Sequence, residues 1–272
     1  MKKYLKILAV MLWILTASVL ALPAAAGKVQ AGRKSIPENM RLYATDVRAD
    51  YSSDEIFANF RAVRAGRIGR GVLYRSSIPC SLTRARAPYA DALMKQAGIR
   101  TVLNLAVDAE KLAEVMDNPD CPAPYYRSLY RQGTVIARRL PAVLSKPEFR
   151  KGLAEELRFL TAHDGPYLVH CAEGKDRTGF VCFLLGALMG ASPGELEQDY
   201  GITYLNYYHL QPCEPRYVFY VGEGLTAFYS VLDGSAAEGA ALPGLAEKYL
   251  LGIGLSGDEI AAVKEKLSQN LN

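Results

Sequence analysis

The sequence predicts an α/β protein of three layers, in which helices cover both faces of a mainly parallel central sheet. Three short runs rich in β-branched and aromatic residues, at 71–77, 99–105 and 167–170, alternate with longer segments of helical periodicity. In sheets of this kind the reactive groups lie in loops at the carboxyl ends of the strands. The loop that follows residues 167–170 occupies such a position.

In the first half of the chain, glycines, prolines and charged residues indicate where helices end and where loops lie. A helix is predicted over residues 83–96 and ends at Gly98, and a short helix is predicted over residues 108–117. Two prolines interrupt the chain before residues 125–130, a weaker strand candidate. Residues 131–144 carry arginines but no acidic side chain, and the sequence predicts a surface loop there.

Capping signals mark the helices of the second half. Three capping boxes predict helix starts: Ser145 with Glu148, Ser192 with Glu195, and Ser256 with Glu259. The first of these helices is predicted over residues 146–163, and a later helix over residues 214–232 precedes a Gly, Ala and Ser linker at 233–243. The helix after Ser192 carries a stripe of tyrosines at helical spacing: Tyr200, Tyr204, Tyr207 and Tyr208. This stripe favours core packing over a substrate wall, because aromatic side chains bury large areas.

Residues 1–26 have the three regions of a secretory signal peptide. Lysines precede an apolar segment at residues 7–22, and small residues ending at Ala26 form a cleavage site. An uncleaved anchor is the alternative, but the segment is shorter than the roughly 20 apolar residues of a spanning helix. We expect a secreted or extracytoplasmic protein that has no membrane span after cleavage.

The rest of the chain is predicted to consist of a disordered linker at 27–38 and one domain at 39–272, which ends in a helical hairpin at 244–272. The chain has 32 basic and 28 acidic side chains, and three of the lysines lie in the leader, so the remainder is nearly neutral. This balance gives no sign of nucleic acid as a partner.

Cysteine and histidine spacing argues against a disulfide framework and a metal site. The five cysteines are widely spaced, although a single bridge among Cys80, Cys121 and Cys213 stays open. His163 and His209 have no ligand partners at useful spacing, so no metal site is predicted.

The pattern Cys-x5-Arg occurs three times, and only its context separates the copies. The copy at Cys80 follows a proline and its loop has no glycine. The copy at Cys121 contains two prolines, which lack the backbone N–H donors that a phosphate cradle requires. The third copy runs from Cys171 to Arg177 between a predicted strand and a predicted helix, with Gly174 to let the backbone turn. It is the predicted anion site.

Each residue type in the third copy has a physical reason. Backbone N–H groups and the positive end of the helix predicted over residues 177–189 favour a tetrahedral dianion. Arg177 adds a planar fork that matches two phosphate oxygens. The same positive field favours the thiolate form of Cys171, the nucleophile, and Thr178 is placed to donate a hydrogen bond to that sulfur when it leaves. The predicted phosphate cradle is Ala172, Glu173, Gly174, Lys175, Asp176 and Arg177.

The run from His170 to Gly179, His-Cys-x-x-Gly-Lys-Asp-Arg-Thr-Gly, resembles the signature of the cysteine-dependent protein-tyrosine phosphatase superfamily, in its bacterial branch of tyrosine and lipid phosphatases. Asn-Phe-Arg at 59–61, Tyr-Arg-Ser-Ser at 74–77 and the terminal hairpin match that branch in the same order. The resemblance implies a protein-tyrosine-phosphatase-like fold and a supporting role for His170. It also implies two-step hydrolysis of phosphate monoesters through phospho-Cys171, with no metal or other cofactor.

The general acid is where this chain departs from the superfamily. Many members carry an Asp on a loop before the Cys, but residues 121–147 contain no Asp or Glu. Asp176 is the first candidate, because an Asp in this place has been assigned that role in myotubularin-like lipid phosphatases. The alternative is a structural Asp that accepts backbone hydrogen bonds and tempers the charge of Lys175. Asp108 is the second candidate, and Asn104-Leu105-Ala106 replaces the Asp-Leu-Arg that the branch often has.

Three further cations are candidates for supporting roles. Lys175 adds a second cation to the loop, as in phosphatases that accept phosphoinositides, or it only raises the local potential. Arg75 and Arg61 are interpreted as strand-end salt bridges in preference to substrate contacts.

Three functions follow from these residues. The first is a secreted phosphatase acting on phosphotyrosine, and also on phosphoserine or phosphoinositides in phosphorylated protein or lipid partners. The second is a phytase-like inositol polyphosphate phosphatase. The third is a phosphate-binding module without catalysis, which the missing loop acid keeps open, whereas the Arg-Thr-Gly helix start does not suit a rhodanese-type sulfurtransferase.

Overall fold

The computed structural model describes residues 37–232 and 241–271. The chain divides into two compact units, residues 1–41 and residues 42–272. The described part of the first contains one 3-10 turn, Glu38–Met40, and the sheet and the α-helices belong to the second. The predicted signal peptide, most of the linker after it and residues 233–240 lie outside the described residues. Within the described ranges, no helix has the length and apolar character needed to cross a membrane.

A five-stranded sheet lies at the centre of the second unit. Its strands are β1 Arg61–Ala62, β2 Leu73–Ser76, β3 Thr101–Asn104, β4 Val135–Ala137 and β5 Tyr167–His170. The order is β1-β2-β5-β3-β4, with β1 antiparallel to β2 and the other pairs parallel. The mainly parallel sheet predicted from the sequence is therefore confirmed.

Strand β5 is the middle strand, and its carboxyl end lies between two polar side chains. His170 is the register partner of Ser76 on β2 and of Asn104 on β3. All four residues of β5 are buried. The loop that follows β5 therefore leaves the sheet at its centre.

Helices cover both faces of this sheet. They are α1 Asp54–Ala58, α2 Ala87–Gln96, α3 Ala109–Asp117, α4 Pro124–Arg131, α5 Pro147–Ala162, α6 Asp176–Leu188, α7 Pro193–Tyr208, α8 Pro215–Leu232, α9 Leu242–Gly252 and α10 Gly257–Ser268. Tyr167 and Val169 face a core formed with α5 to α10, and Leu168 faces a second core formed with α2 to α4. Successive side chains of β5 therefore pack into two apolar cores on opposite faces of the sheet. The predicted three-layer fold is confirmed.

Helix α6 is the centre of the larger core. Its residues from Thr178 to Leu188 are all buried, as expected of a helix that is apolar around its whole circumference. Because these residues are buried, α6 is held in place, and its N-terminus at Asp176 lies at the end of the loop that follows β5.

Two predictions for the middle of the chain are wrong. Residues 125–130 are not a strand but part of α4, because the carboxylate of Asp91 on α2 accepts the backbone N–H groups of Tyr125 and Tyr126 and so caps the helix start. Residues 131–144 are not wholly a loop, since they contain β4, which pairs with β3 at the edge of the sheet. Both elements depend on partners distant in sequence.

The capping predictions have mixed outcomes. The boxes at Ser192 and Ser256 are both present, with reciprocal bonds to Glu195 and Glu259. The predicted box at Ser145 is wrong: α5 begins at Pro147, its N-cap is Lys146, and no side chain caps it. Pro147, the first residue of α5, has no backbone N–H, so this helix start has one fewer donor that needs an acceptor.

All five cysteines are free. Cys80 and Cys121 are buried in the smaller core, and Cys213 is exposed. The bridge that the sequence left open is not formed among these three residues.

Candidate active site

Cys171 is the first residue after β5, and α6 begins five residues later at Asp176. The Cys171 side chain lies at the base of the loop, with 4% of the residue exposed. Gly174 has φ +65°, and a Cβ there would overlap the carbonyl group of Ser76 at the end of β2. Glycine is thus required both by the backbone conformation and by the close approach to the neighbouring strand.

The carbonyl oxygens of the loop are bonded on its outer side. Ala172 O accepts from Ile78 N at 3.2 Å. Glu173 O accepts from Tyr207 Oη at 2.7 Å, and Gly174 O from Arg75 Nη2 at 2.8 Å. Asn59 Nδ2 also donates to Gly174 O at 3.3 Å, and Arg75 Nη2 to Lys175 O at 3.3 Å.

This anchoring determines where the N–H groups of the loop face. In a planar trans peptide the C=O and the next N–H point in opposite directions, so the N–H groups of residues 173–176 face away from the anchors. No acceptor among the described residues bonds the N–H groups of residues 172–176. Together with the N-terminus of α6, these groups form a cradle suited to a tetrahedral anion.

Arg75 and Asp199 form a buried ion pair behind the cradle. The Arg75 guanidinium is fully buried and donates to Asp199 on α7. Burial disfavours the charge of Arg75, but the Asp199 carboxylate and the nearby cysteines together raise the pKa of Arg75. Arg61 Nε lies 3.6 Å from Asp199 Oδ1; burial and the charge of Arg75 lower the pKa of Arg61 to about 10. Both arginines thus form the predicted salt bridges, although the pairs are buried, and Arg75 also bonds the loop.

Arg177 is fixed by two backbone carbonyls from the other side of the sheet. Its Nη1 donates to Leu105 O at 2.7 Å, just after β3, and to Leu140 O at 3.0 Å, just after β4. Because one nitrogen takes both bonds, the guanidinium plane is oriented while its remaining N–H groups stay available for phosphate oxygens.

His170 supports the base of the loop from a buried position. Its Nε2 lies 3.2 Å from Tyr126 Oη, which accepts a hydrogen bond of 2.9 Å from Asn104 Nδ2. Burial lowers the pKa of His170 to about 3, so the ring is neutral near pH 7. Asn104, which replaces the acid that the bacterial branch often has, also accepts from Ala106 N at 2.9 Å. In this chain Asn104 therefore has a structural role.

Thr178 is fully buried in the first turn of α6. Its hydroxyl has no hydrogen-bond partner among the described residues. The predicted hydrogen bond from the Thr178 hydroxyl to the Cys171 sulfur is not made in this structure and stays a prediction. No other acceptor among the described residues takes the hydroxyl hydrogen.

Lys175 and Asp176 occupy the mouth of the loop. Lys175 Nζ lies 3.2 Å from Tyr208 Oη, 3.7 Å from Glu173 Oε2 and 3.9 Å from Asp176 Oδ2. Burial opposes the charge of Lys175, but Asp176, Tyr208 and Glu173 together raise the pKa of Lys175.

The Asp176 side chain is 63% exposed, yet desolvation by its surroundings raises the pKa of Asp176, and Lys175 offsets part of this rise. The structural alternative has two parts. The contact between Lys175 Nζ and Asp176 Oδ2 at 3.9 Å agrees with a carboxylate that tempers the charge of Lys175, whereas the described contacts include no backbone hydrogen bond to that carboxylate. The acid role and the structural role of Asp176 both stay predictions.

Asp108 is engaged elsewhere. Its carboxylate caps α3 and accepts from Lys111 N at 2.8 Å. This bond satisfies the helix start that follows β3, so Asp176 remains the first candidate for the acid.

Two cavities of different chemistry border the loop. A polar cavity of about 120 Å³ has a lining that includes Arg84, Arg86 and Glu173. An apolar groove of about 300 Å³ is lined by Asp176 together with Leu144 and Phe228. The described residues include no group of three or more His, Cys, Asp or Glu side chains arranged to hold a metal.

Sequence reasoning missed the residues that anchor the loop from behind. Asn59 was noted only as part of a motif, and Asp199 and Tyr207 were not assigned to the site. Asp199 immediately precedes a tyrosine stripe, and nothing in the local pattern distinguishes it from a solvent-exposed acid. Three tyrosines of the predicted core stripe are buried, Tyr200, Tyr204 and Tyr207. The fourth, Tyr208, is half-buried, and it lines the polar cavity together with Tyr207, which also bonds the loop.

Comparison with known proteins agrees with this geometry. The profile of the tyrosine phosphatase family matches residues 57–269. A tyrosine-protein phosphatase from Nostoc commune is 32% identical over 138 residues, and the match covers 46% of each protein. The chain thus spans about half the length of the curated relative it matches. Because the family profile covers most of the sequence, including the whole Cys171 loop, the chain belongs to the tyrosine phosphatase family.

Proposed function

We propose that this protein hydrolyses phosphate monoesters, phosphotyrosine first among them, through a phospho-cysteine intermediate on Cys171. One observation carries the proposal. The loop carbonyls are bonded from behind, which leaves the N–H groups of residues 173–176 and the remaining N–H groups of Arg177 available for a tetrahedral anion.

In the first step the Cys171 sulfur attacks phosphorus. The S–P bond forms, the bond between phosphorus and the ester oxygen breaks, and that oxygen takes a proton from the Asp176 carboxyl. The N–H cradle and Arg177 hold the three other phosphate oxygens, whose charge they stabilise in the transition state. The products of this step are the free alcohol or phenol and phospho-Cys171.

In the second step water attacks phospho-Cys171. The Asp176 carboxylate accepts a proton from the water, a new P–O bond forms and the S–P bond breaks. Thr178 donates a hydrogen bond to the departing sulfur, and inorganic phosphate leaves. Desolvation raises the pKa of Asp176, a direction that suits a group that gives a proton in the first step and accepts one in the second.

Phosphotyrosine is favoured over polyanionic substrates. The support is the similarity to the Nostoc protein named as a tyrosine-protein phosphatase and the position of Lys175, whose ammonium lies within 4 Å of two carboxylates. A lysine already paired in this way adds little attraction for a second phosphate group. Phosphoserine and phosphoinositides are secondary candidates on this reasoning, and inositol polyphosphates come after them.

The nucleophile is tested with Cys171→Ser, assayed for phosphate release from a phosphotyrosine peptide in the presence of a chelator. The variant should release no phosphate. The matched control is Cys213→Ser at an exposed position, which should retain full activity. Release that persists in Cys171→Ser, or that never occurs in the unsubstituted protein, contradicts the proposal.

The acid is tested with Asp176→Asn on an alkyl phosphate and on 4-nitrophenyl phosphate. The alkyl substrate should slow by about 10²- to 10⁴-fold, the usual contribution of a general acid, and the nitrophenyl substrate much less, because nitrophenolate leaves without a proton. Glu173→Gln is the control within the same loop. Equal slowing of both substrates would assign Asp176 a structural role.

Export is also proposed, on the strength of residues 1–26 alone. The protein produced in a bacterial host should appear in the extracytoplasmic fraction with an N-terminus after Ala26. A full-length N-terminus in the cytoplasmic fraction would contradict this.

A further inference from the structure

The apolar groove beside Asp176 has no role in the chemistry described so far. Its walls come from the segment before α5 and from one side of α8, and they include Ala142, Leu144, Gly224, Ala227, Phe228 and Val231. Its volume of about 300 Å³ is at the lower end of the range for small-molecule sites. Asp176 of the Cys171 loop also lines it, so the groove adjoins the loop.

We propose that this groove is a subsite for the aliphatic chain of an alkyl phosphate monoester, with the ester oxygen beside Asp176 and the chain between Leu144 and Phe228. The inference rests on the proposed phosphatase activity and extends it to a class of substrate.

The position of the acid determines which part of a substrate enters the groove. Asp176 gives its proton to the ester oxygen, so the group bonded to that oxygen must extend from a point next to the carboxyl. Asp176 is one of the residues that line the groove. The lining of the polar cavity includes Ala172 and Glu173 but not Asp176, so the groove is the cavity that shares the acid.

The lining of the groove favours an aliphatic leaving group. Apart from Asp176, its polar side chains are Ser145 and Tyr200, and the Tyr200 hydroxyl is already bonded to Tyr204 Oη at 3.1 Å. A ring bearing several hydroxyl groups would lose its hydrogen bonds to water there and gain few in return, which costs free energy. An alkyl chain loses nothing of this kind and gains from burial against Leu144, Phe228 and Val231.

The chemistry of alkyl esters agrees with this assignment. An alkoxide is a poor leaving group and needs a proton from an acid, whereas a phenolate needs it less. A carboxyl with a raised pKa at the entrance to the groove supplies that proton where the alkyl oxygen lies.

The test measures kcat/KM of the full protein for propyl, hexyl and nonyl phosphate below their aggregation concentrations, with 4-nitrophenyl phosphate as a reference. In the unsubstituted protein kcat/KM should rise with chain length, by up to about fourfold for each methylene group that enters the groove.

Substitution of the groove wall locates the effect. Ala227 is exposed on α8 and lines the groove, so Ala227→Phe should fill the space and flatten the dependence on chain length. Thr226→Phe places the same side chain one residue earlier, at an exposed position outside the lining, and should keep the dependence. Thermal unfolding of both variants shows whether they are folded.

The outcomes distinguish a failure of the subsite from a failure of the phosphatase activity. A flat profile in a protein that hydrolyses 4-nitrophenyl phosphate overturns the subsite and leaves the phosphatase activity intact. A steep profile that survives Ala227→Phe places the chain elsewhere and also overturns it. If none of the four esters is hydrolysed, the proposed activity fails and the subsite fails with it.

Discussion

Buried His170 should make the protein lose stability in acid, by an amount that follows from its position. The imidazole is fully buried, and desolvation lowers the pKa of His170 from 6.5 to about 3. Below pH 6.5 the unfolded chain binds a proton at this residue, and the folded protein does not until about pH 3. Stability therefore falls as the pH decreases through this window.

The magnitude is about 1.4 kcal/mol for each pH unit, since one unit of pKa corresponds to about 1.36 kcal/mol. Between pH 6.5 and about pH 4.5 the loss from His170 alone is about 2.7 kcal/mol. The perturbation is His170→Gln, which keeps an acceptor for Tyr126 and removes the titrating ring. The free energies of unfolding of both proteins are measured by urea denaturation across this window, and their difference isolates His170 because every carboxylate titrates in both.

The variant should gain on the unsubstituted protein by about 1.4 kcal/mol per unit as the pH is lowered. Tyr126→Phe is the control, since it removes the hydroxyl partner but leaves His170 buried. It should shift the free energy of unfolding by a constant amount and keep the slope. A difference between the unsubstituted protein and His170→Gln that is the same at every pH would refute the assignment of a neutral, desolvated imidazole.

Three other substitutions test further positions in the fold. Glu156 is fully buried without a hydrogen-bond partner among the described residues, and burial raises its pKa well above 4.5. Stability is therefore lost as the pH rises above 4.5, and Glu156→Gln should gain thermal stability increasingly over that range; a gain that is the same at every pH would contradict this. Gly174→Ala should lower the free energy of unfolding more than Gly98→Ala. Both glycines have positive φ, which costs a residue with a Cβ about 1–2 kcal/mol, but only at Gly174 would the added Cβ overlap a backbone carbonyl. Equal losses in urea denaturation would contradict the overlap. Asp199→Asn should destabilise the protein in the same assay by about 3–5 kcal/mol, because it leaves its buried arginine partner uncompensated, and a loss below about 1 kcal/mol would show that the pair is dispensable.

The sequence predicts those parts of the fold that depend on residues close to one another along the chain. The buried strand β5, the glycine turn and helix α6 are contiguous, and their pattern separated Cys171 from the decoys at Cys80 and Cys121. Both decoys lie in the smaller core with free, buried thiols. For Cys80, burial raises the pKa to about 12, so that thiol is not the reactive one.

The parts that could not be predicted depend on contacts between distant residues. Helix α4 resembles a strand in its aromatic content, and the carboxylate that caps it, Asp91, lies more than 30 residues earlier. The anchors of the loop carbonyls are equally distant, because Arg75 precedes Gly174 by 99 residues and Tyr207 follows Glu173 by 34. Local propensity carries no information about either.

The contacts behind the loop also bear on when the loop takes its shape during synthesis. Asn59 and Arg75, which bond its carbonyls, lie before Cys171 in the chain, whereas Tyr207 and Asp199, the partner of Arg75, are translated after it. Because synthesis proceeds from the N-terminus, a nascent chain that already contains Cys171 and Arg177 still lacks the acid that neutralises Arg75 and the hydroxyl that holds Glu173. A fragment that ends at α6 would therefore contain the motif without the contacts that shape its loop.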